Sequence, residues 1–280
     1  MAGGRRGIMD AMKLIDCHTH TAYSGHGHGT PQESVAAACE RGLAVLAATE
    51  HWTLPLELDP QRGDSMSPEV AASYVSELEA LRAQLAERGA DMQLIIGAEV
   101  DWLGERFKPE PLDARIEYAL GSVHFIDGLP LDNSDDLRLW ESLGEEGVWQ
   151  RYLQEWIAMV ASPLRFDAFA HPDLPKVFGS RASQNFAGAY ADMACAVAKR
   201  GALVEVNTAG WRKAAGEQYP ALDLLKAFAQ AGVDCTVGSD AHSPQDVGCD
   251  IARAYDVMTQ AGYTRVAVPE PDGDRHYIDL

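Results

Sequence analysis

Nowhere in these 280 residues does an apolar run approach the roughly 20 residues a helix needs to cross a bilayer, so a membrane-spanning chain is not expected. Basic residues are scarce: 23 Lys and Arg stand against 42 Asp and Glu, giving a net charge of −19. A nucleic-acid partner is disfavoured, because binding it requires a basic surface that displaces counterions from phosphates. A local basic pocket remains open. The five cysteines are odd in number and widely separated, with no CxxC pair, which argues against a disulfide framework or a zinc ribbon. No GxGxxG follows the first apolar run, and this weakens a dinucleotide-binding reading. Behind the arginines near the N-terminus there is no apolar segment, so residues 1–12 read as a short mobile leader rather than a signal peptide. A single domain over 13–280 and a cytoplasmic location are the expectations that follow.

What the chain does have is alternation. Short apolar runs at 13–16, 43–49, 92–100, 119–123, 166–170, 202–206 and 233–238 read as strands. Helical patterns at 31–41, 68–88, 145–160, 183–200 and 220–231 lie between them, with glycines at 42, 89, 201 and 232 placed to end four of these. Strand and helix in turn along the whole length mean parallel pairing with right-handed crossovers. The expected fold class is α/β: a distorted seven-stranded (β/α) barrel, with an open doubly wound sheet as the alternative. The stretches 53–67 and 127–144 read as loops that could cover a site, and the polar tail from 269 reads as peripheral.

The nine histidines carry most of the functional information. Seven of them fall at, or in the loops just after, the C-terminal ends of predicted strands, and Glu99 holds the equivalent place on the third strand. In a barrel those ends converge on one face, where such folds carry their active sites. Residues two apart on a strand point the same way, so His18-x-His20 and Asp240-x-His242 can each offer two ligands to one centre. A single histidine more often serves core or surface packing; a set at equivalent positions asks for another reason. Gathered imidazoles repel one another when protonated and are good ligands for divalent ions when neutral. Seven histidines, Glu99 and Asp240 exceed what one ion with an open position can use, so two or three ions fit better, with Glu99 bridging a pair.

The segments Asp16-Cys17-His18-Thr19-His20, Thr49-Glu50-His51, Gly97-Ala98-Glu99, Ser122-Val123-His124, His171-Pro172-Asp173 and Gly238-Ser239-Asp240-Ala241-His242 resemble the PHP (polymerase and histidinol phosphatase) superfamily. Within it, the stretches 205–213 and 216–220, Ser122-Val123-His124-Phe125 and Asp64-Ser65-Met66-Ser67 are similar to the monofunctional histidinol-phosphate phosphatases. The resemblance covers 13–250 and implies a distorted (β/α)7 TIM-like barrel with a trinuclear metal site of Zn, Fe or Mn. Carried over by motif, it implies that His18, His20, Glu99 and Asp240 hold one ion, Glu99, His124 and His171 a second, and His26, His51 and His242 a third. His26 is preferred to His28 because it lies at the family spacing beyond His20; His28 and His276 are left as surface histidines.

The implied reaction is hydrolysis of L-histidinol phosphate to L-histidinol and phosphate, a step of histidine biosynthesis. Clustered ions would activate water and neutralise phosphoryl charge. Asp240 or His242 could pass a proton to the leaving group. Arg212 is the first candidate for a forked contact to phosphate, followed by Arg181 and Lys176. Glu205 and the 53–67 loop are suspects for reading the imidazole and amine, and Trp52, Trp102 and Trp211 for walling the pocket. Two other readings stand beside this one. One is a PHP phosphoesterase acting on another small phosphate or nucleotide; the other is a metal-bearing binding module without activity. The partner expected is a small phosphorylated substrate, and a homo-oligomer is left open.

Overall fold

The computed structural model describes residues 12–104, 106–181 and 186–280. The expected leader lies, but for Met12, outside the described residues, as does the expected start of the helix at 183. In chain order the elements are β1 (Ile15–Asp16), α1 (Pro31–Glu40), β2 (Val45–Ala48), α2 (Pro68–Glu87), β3 (Gln93–Asp101), β4 (Tyr118–Ser122), β5 (Phe125–Ile126), β6 (Leu129–Pro130), α3 (Arg138–Ala161) and β7 (Ala168–Phe169). There follow α4 (Ala187–Arg200), β8 (Leu203–Asn207), α5 (Leu222–Gln230), β9 (Cys235–Gly238), α6 (Ile251–Ala261), β10 (Arg265–Pro269) and β11 (Arg275–Asp279).

Seven strands form one parallel sheet in the order β1-β2-β3-β4-β7-β8-β9. Its strands β2, β4, β8 and β9 are buried on both faces, which is why they read as unbroken apolar runs rather than alternating ones. Between the first strand and the last, Cys17 N donates to Val237 O (2.9 Å), Asp240 N to His18 O (2.8 Å) and His20 N to Ala241 O (2.7 Å). The sheet is thus nearly closed into a barrel, and the open doubly wound alternative is set aside. The buried Asp16 carboxylate braces this seam by accepting from Ser239 N, Ser239 Oγ and Gly248 N.

The helices pack outside, α3 on α4, α4 on α5 and α5 on α6. Trp156 of α3 is fully buried, with its ring 5.4 Å from that of Phe169 and 6.1 Å from that of Phe228. Such aromatic pairs add about 0.5–1.5 kcal/mol each to the burial of their area. At the start of α1, Thr30 accepts from Glu33 N while Glu33 accepts from Thr30 N, a reciprocal cap with Pro31 in the first turn. Gly201 ends α4 at φ 74°, a conformation that favours glycine.

Three regions depart from the sequence expectation. The stretch 127–144 is not a plain loop: β5 and β6 form a hairpin through Asp127 (φ 54°) and Gly128 (φ 81°), and α3 begins at Arg138. Strands of two residues are too short to show alternation, although Asp-Gly is a strong hairpin signal. Gly144 (φ 65°, ψ 170°) breaks α3, so the helix expected from 145 is its second limb. Beyond the last expected strand, α6 buries Ile251, Ala254, Tyr255 and Met258 at helical spacing, a periodicity the reading passed over. The tail, expected as polar and peripheral, forms a strand that was not foreseen: β11 pairs antiparallel with β10 from Arg265↔Asp279 to Pro269↔Arg275. Its largely exposed pattern offers no apolar face to betray it. Among the described residues no helix is long and apolar enough to cross a membrane.

Candidate metal centre

The strand ends deliver the acidic and imidazole side chains to one mouth of the barrel. His18 and His20 follow β1, His51 follows β2, Glu99 and Asp101 lie on β3, His124 follows β4, His171 follows β7, and Asp240 and His242 follow β9. Their burial is unusual for such groups: His18 and His20 are 0% exposed, Glu99 1% and His171 2%.

Around Glu99 Oε2 lie His18 Nε2 (3.4 Å), His20 Nε2 (3.4 Å) and His51 Nδ1 (3.0 Å). Asp240 Oδ1 is 3.8 Å from His18 Nε2 and 3.5 Å from His20 Nε2. The second oxygen, Glu99 Oε1, faces His171 Nε2 at 3.1 Å and His124 Nε2 at 3.7 Å, and those two nitrogens are 3.3 Å apart. Ligands about 2.1 Å from a tetrahedral ion stand about 3.4 Å from one another. The separations therefore match two coordination shells sharing one carboxylate.

The remaining imidazoles form a more open group. Ring nitrogens of His20, His51 and His242 lie within 4.8 Å of one another. His26 approaches as a ring, 4.9 Å from His242 and 5.2 Å from His51, while its Nδ1 is 3.2 Å from Gly63 O. The expected third set of His26, His51 and His242 is thus gathered, with His20 closer to it than His26. His28 sits at the rim, its backbone N–H donating to His242 O (2.8 Å).

The donor set fits divalent cations. A carboxylate accepts, so His18 Nδ1–H donates to Glu205 Oε1 (2.7 Å) and His124 Nδ1–H to Asp101 Oδ1 (2.9 Å). Each bond leaves the ring's Nε2 lone pair aimed at the shared space, the usual arrangement behind a metal-bound histidine. His18 Nε2 and His20 Nε2 lie only 2.9 Å apart, and His20 Nδ1 is buried without a partner. Glu99 Oε2 is buried without a hydrogen bond, and a cation beside it and the two Nε2 atoms resolves both their close approach and the unpartnered oxygen.

Charge is divided unequally among the imidazoles: burial depresses His18, but Glu205, Glu99 and Asp240 raise it well above its ordinary pKa. Burial, followed by the neighbouring His51, His242 and His18, pushes His20 well below its ordinary pKa and keeps it neutral. Burial also brings His242 down to about 4, against the pull of Asp240. For Glu99 burial acts upward, but His18, His124 and His51 overcome it and hold the group ionised. His124 is depressed by burial yet raised to about 10 by Asp101 and Glu99. Backbone strain accompanies the cluster, since His171 (φ 25°) and Asp240 (φ 51°) are both non-glycine residues at positive φ. Tyr152 Oη–H donates to His171 O (2.8 Å) and helps hold the first of these.

Above the cluster opens a cavity of about 620 Å³, lined among others by Arg212, Lys213, Asp64, Asp132 and Asp246, with Asp246 Oδ1 3.9 Å from Arg212 Nε. Arg212 is steered by donation to Ser239 O (2.6 Å) and Thr208 Oγ1 (3.3 Å). The other two expected cations are placed differently. Lys176 is 1% exposed, with Nζ 2.8 Å from Asp173 Oδ2 and 2.7 Å from Gln218 O, so its charge is spent within the core and it does not line the cavity. Arg181 donates to Ala215 O (2.6 Å) and Ser180 O (3.0 Å) and is also off the cavity lining. Glu205, suspected of reading substrate, is 1% exposed beneath His18. None of Trp52, Trp102 and Trp211 lines the cavity; their rings are committed to Glu110 O, Glu155 and Arg253.

Sequence reasoning overlooked Asp101, Lys213 and Asp132. Asp101 was within reach, because it is two residues beyond Glu99 on one strand and so faces the same way. Asp132 follows the unforeseen hairpin and could not be assigned without it.

Residues 16–209 match the family model described as PHP domain. A Deinococcus radiodurans protein named "Probable histidinol-phosphatase" is 35% identical over 89% of this chain and 94% of its own length. A Schizosaccharomyces pombe protein of the same name is 26% identical over 93% and 91%. Among solved structures, the fold is similar to histidinol phosphate phosphatase of Lactococcus lactis, complexed with zinc, L-histidinol and phosphate. The TM-score is 0.75 at 21% identity, covering 95% of this chain and 100% of that one.

Proposed function

Because the chain belongs to the PHP domain family, we propose that it is a metal-dependent phosphatase that hydrolyses L-histidinol phosphate to L-histidinol and phosphate. The observation that carries the chemistry is Glu99, with one oxygen in each of two buried imidazole clusters at the floor of an open cavity. The substrate follows from the relatives, which are named for that activity across nearly their whole length.

His18, His20, Glu99 and Asp240 hold one divalent ion and Glu99, His124 and His171 a second. His51 and His242, with His26 at the open side, hold a third. When bound, such ions lower the pKa of water toward neutrality and offset charge on the phosphoryl oxygens. The protein's own part is positioning. Glu205 and Asp101 fix the rings of His18 and His124 through their Nδ1 protons. Arg212, oriented by Ser239 O, takes a phosphate oxygen pair, and Lys213 beside it adds a second positive charge. Asp132 is half-buried in the lining, where its charge already acts on His124 and His26, and it is the carboxylate assigned to the substrate's amine. Asp240 or His242 relays to the leaving alkoxide the proton that the attacking water gives up.

Steady-state turnover of histidinol phosphate against a panel of phosphomonoesters, on protein of measured metal content, tests this reading. The expected result is a kcat/KM for histidinol phosphate well above the rest. A comparable or higher value for another phosphate would refute the substrate and leave the metal centre standing.

A further inference from the structure

The acid beneath the cluster does more than orient one ring. Glu205 Oε1 accepts from His18 Nδ1 (2.7 Å), while Oε2 accepts from the backbone N–H of His171 (3.1 Å) and from Asn207 Nδ2 (3.2 Å). Asn207 Nδ2 also reaches Asp240 Oδ2 (3.2 Å), and its Oδ1 is fixed by Ala209 N–H (2.9 Å). One buried carboxylate therefore touches a ligand of the first centre, His18, and a ligand of the second, His171. Through Asn207 it reaches a third ligand, Asp240. His171 is the strained ligand, so an anchor on its N–H bears directly on where its ring points.

Gly238 belongs to the same device. A methyl group there would overlap both His18 Cβ and Glu205 Oε1. Its backbone is not among those at positive φ, so the glycine provides room rather than a special conformation. Asp101, by contrast, hydrogen-bonds His124 through its ring nitrogen (2.9 Å) and its backbone N–H (3.2 Å), and it lies within 4.8 Å of the nearest His51 ring nitrogen without a hydrogen bond to it.

We infer that Glu205 is a positioning residue that couples the first two metal centres, and that residue 238 is glycine so that the carboxylate can close against His18. The inference rests on the ligand assignment proposed above. Glu205→Gln keeps the volume but cannot accept on both sides, because its amide NH2 must meet either His18 Nδ1–H or His171 N–H. Removing an outer partner of a metal ligand typically lowers affinity about 10–100-fold.

The test is a graded chelator titration of the purified protein, with elemental analysis at each step and cobalt-substituted absorption spectra as the geometric readout. Glu205→Gln should loosen two ions about 10–100-fold and perturb both of their cobalt spectra, whereas Asp101→Asn should loosen one. Gly238→Ala, which keeps the carboxylate but denies it room, should reproduce the two-ion effect and serves as the reading if Glu205→Gln does not fold. Release of one ion or none by these two variants, with two or more held tightly by the wild type, overturns the coupling alone. Wild-type protein that holds fewer than two ions overturns the ligand assignment and the coupling together.

Discussion

Replacing Glu99 by Gln removes a single negative charge and no volume, yet its consequences should reach two metal ions. The two oxygens diverge: Oε2 has three imidazole nitrogens within 3.0–3.4 Å, and Oε1 has two within 3.1–3.7 Å. A terminal ligand would be missed by one ion only; a bridge is missed by both. Leaving a buried charge without its partner costs about 3–5 kcal/mol, which is about 10²–10⁴ in affinity for each ion concerned. Calorimetric titration of metal into the stripped variant, followed by elemental analysis at fixed free metal, reads this directly. The expected outcome is loss of two ions in the same concentration range, with kcat/KM falling at least a hundredfold and the circular dichroism spectrum retained. A variant that binds all ions as the wild type does, or gives up only one, would refute the bridging role. Glu99→Asp sharpens the test, since the shorter side chain cannot reach both clusters and should give up one ion before the other.

Arg212→Ala should lower kcat/KM roughly ten- to a hundredfold, the worth of one charge-assisted hydrogen bond, with unchanged metal content; an unchanged kcat/KM would remove Arg212 from the phosphate contact. Lys176→Met should act on stability instead. Unpairing buried Asp173 costs about 3–5 kcal/mol, a drop in Tm on the order of 10 °C, while KM stays as it is in the folded protein. Asp132→Asn should raise KM for histidinol phosphate several-fold and leave a phosphomonoester without an amine unaffected; equal effects on both would dissociate Asp132 from the amine. Stripping the ions with a chelator should lower Tm, because each ion present at a thousand times its Kd contributes about 4 kcal/mol of stability, and re-addition should restore it. A Tm indifferent to the chelator would argue against ions in this core.

The gathering of these side chains at one mouth was legible in the chain because a parallel barrel imposes a rule that sequence can express. Side chains at the C-terminal ends of its strands meet, so His18, His124, His171 and Asp240 could be grouped from their positions relative to apolar runs. Glycines just past their ends located α1, α2, α4 and α5 for a similar reason, being local. The features that escaped are those decided through space. Lys176 looked like a free cation near a motif; the core takes it in because Asp173 and Gln218 O wait there to share its charge. Glu205 looked like a substrate contact because it lies in a motif; the tertiary structure turns it inward against His18, 187 positions away. The β5–β6 hairpin and the β10–β11 pair are too short or too exposed to carry a periodic signal. The sequence by itself determined which residue types stand at the barrel mouth, since strand period and chain order are enough for that. Only the closed sheet decided which of them touch, because contact depends on how seven twisted strands meet at a seam, and no local pattern encodes that distance.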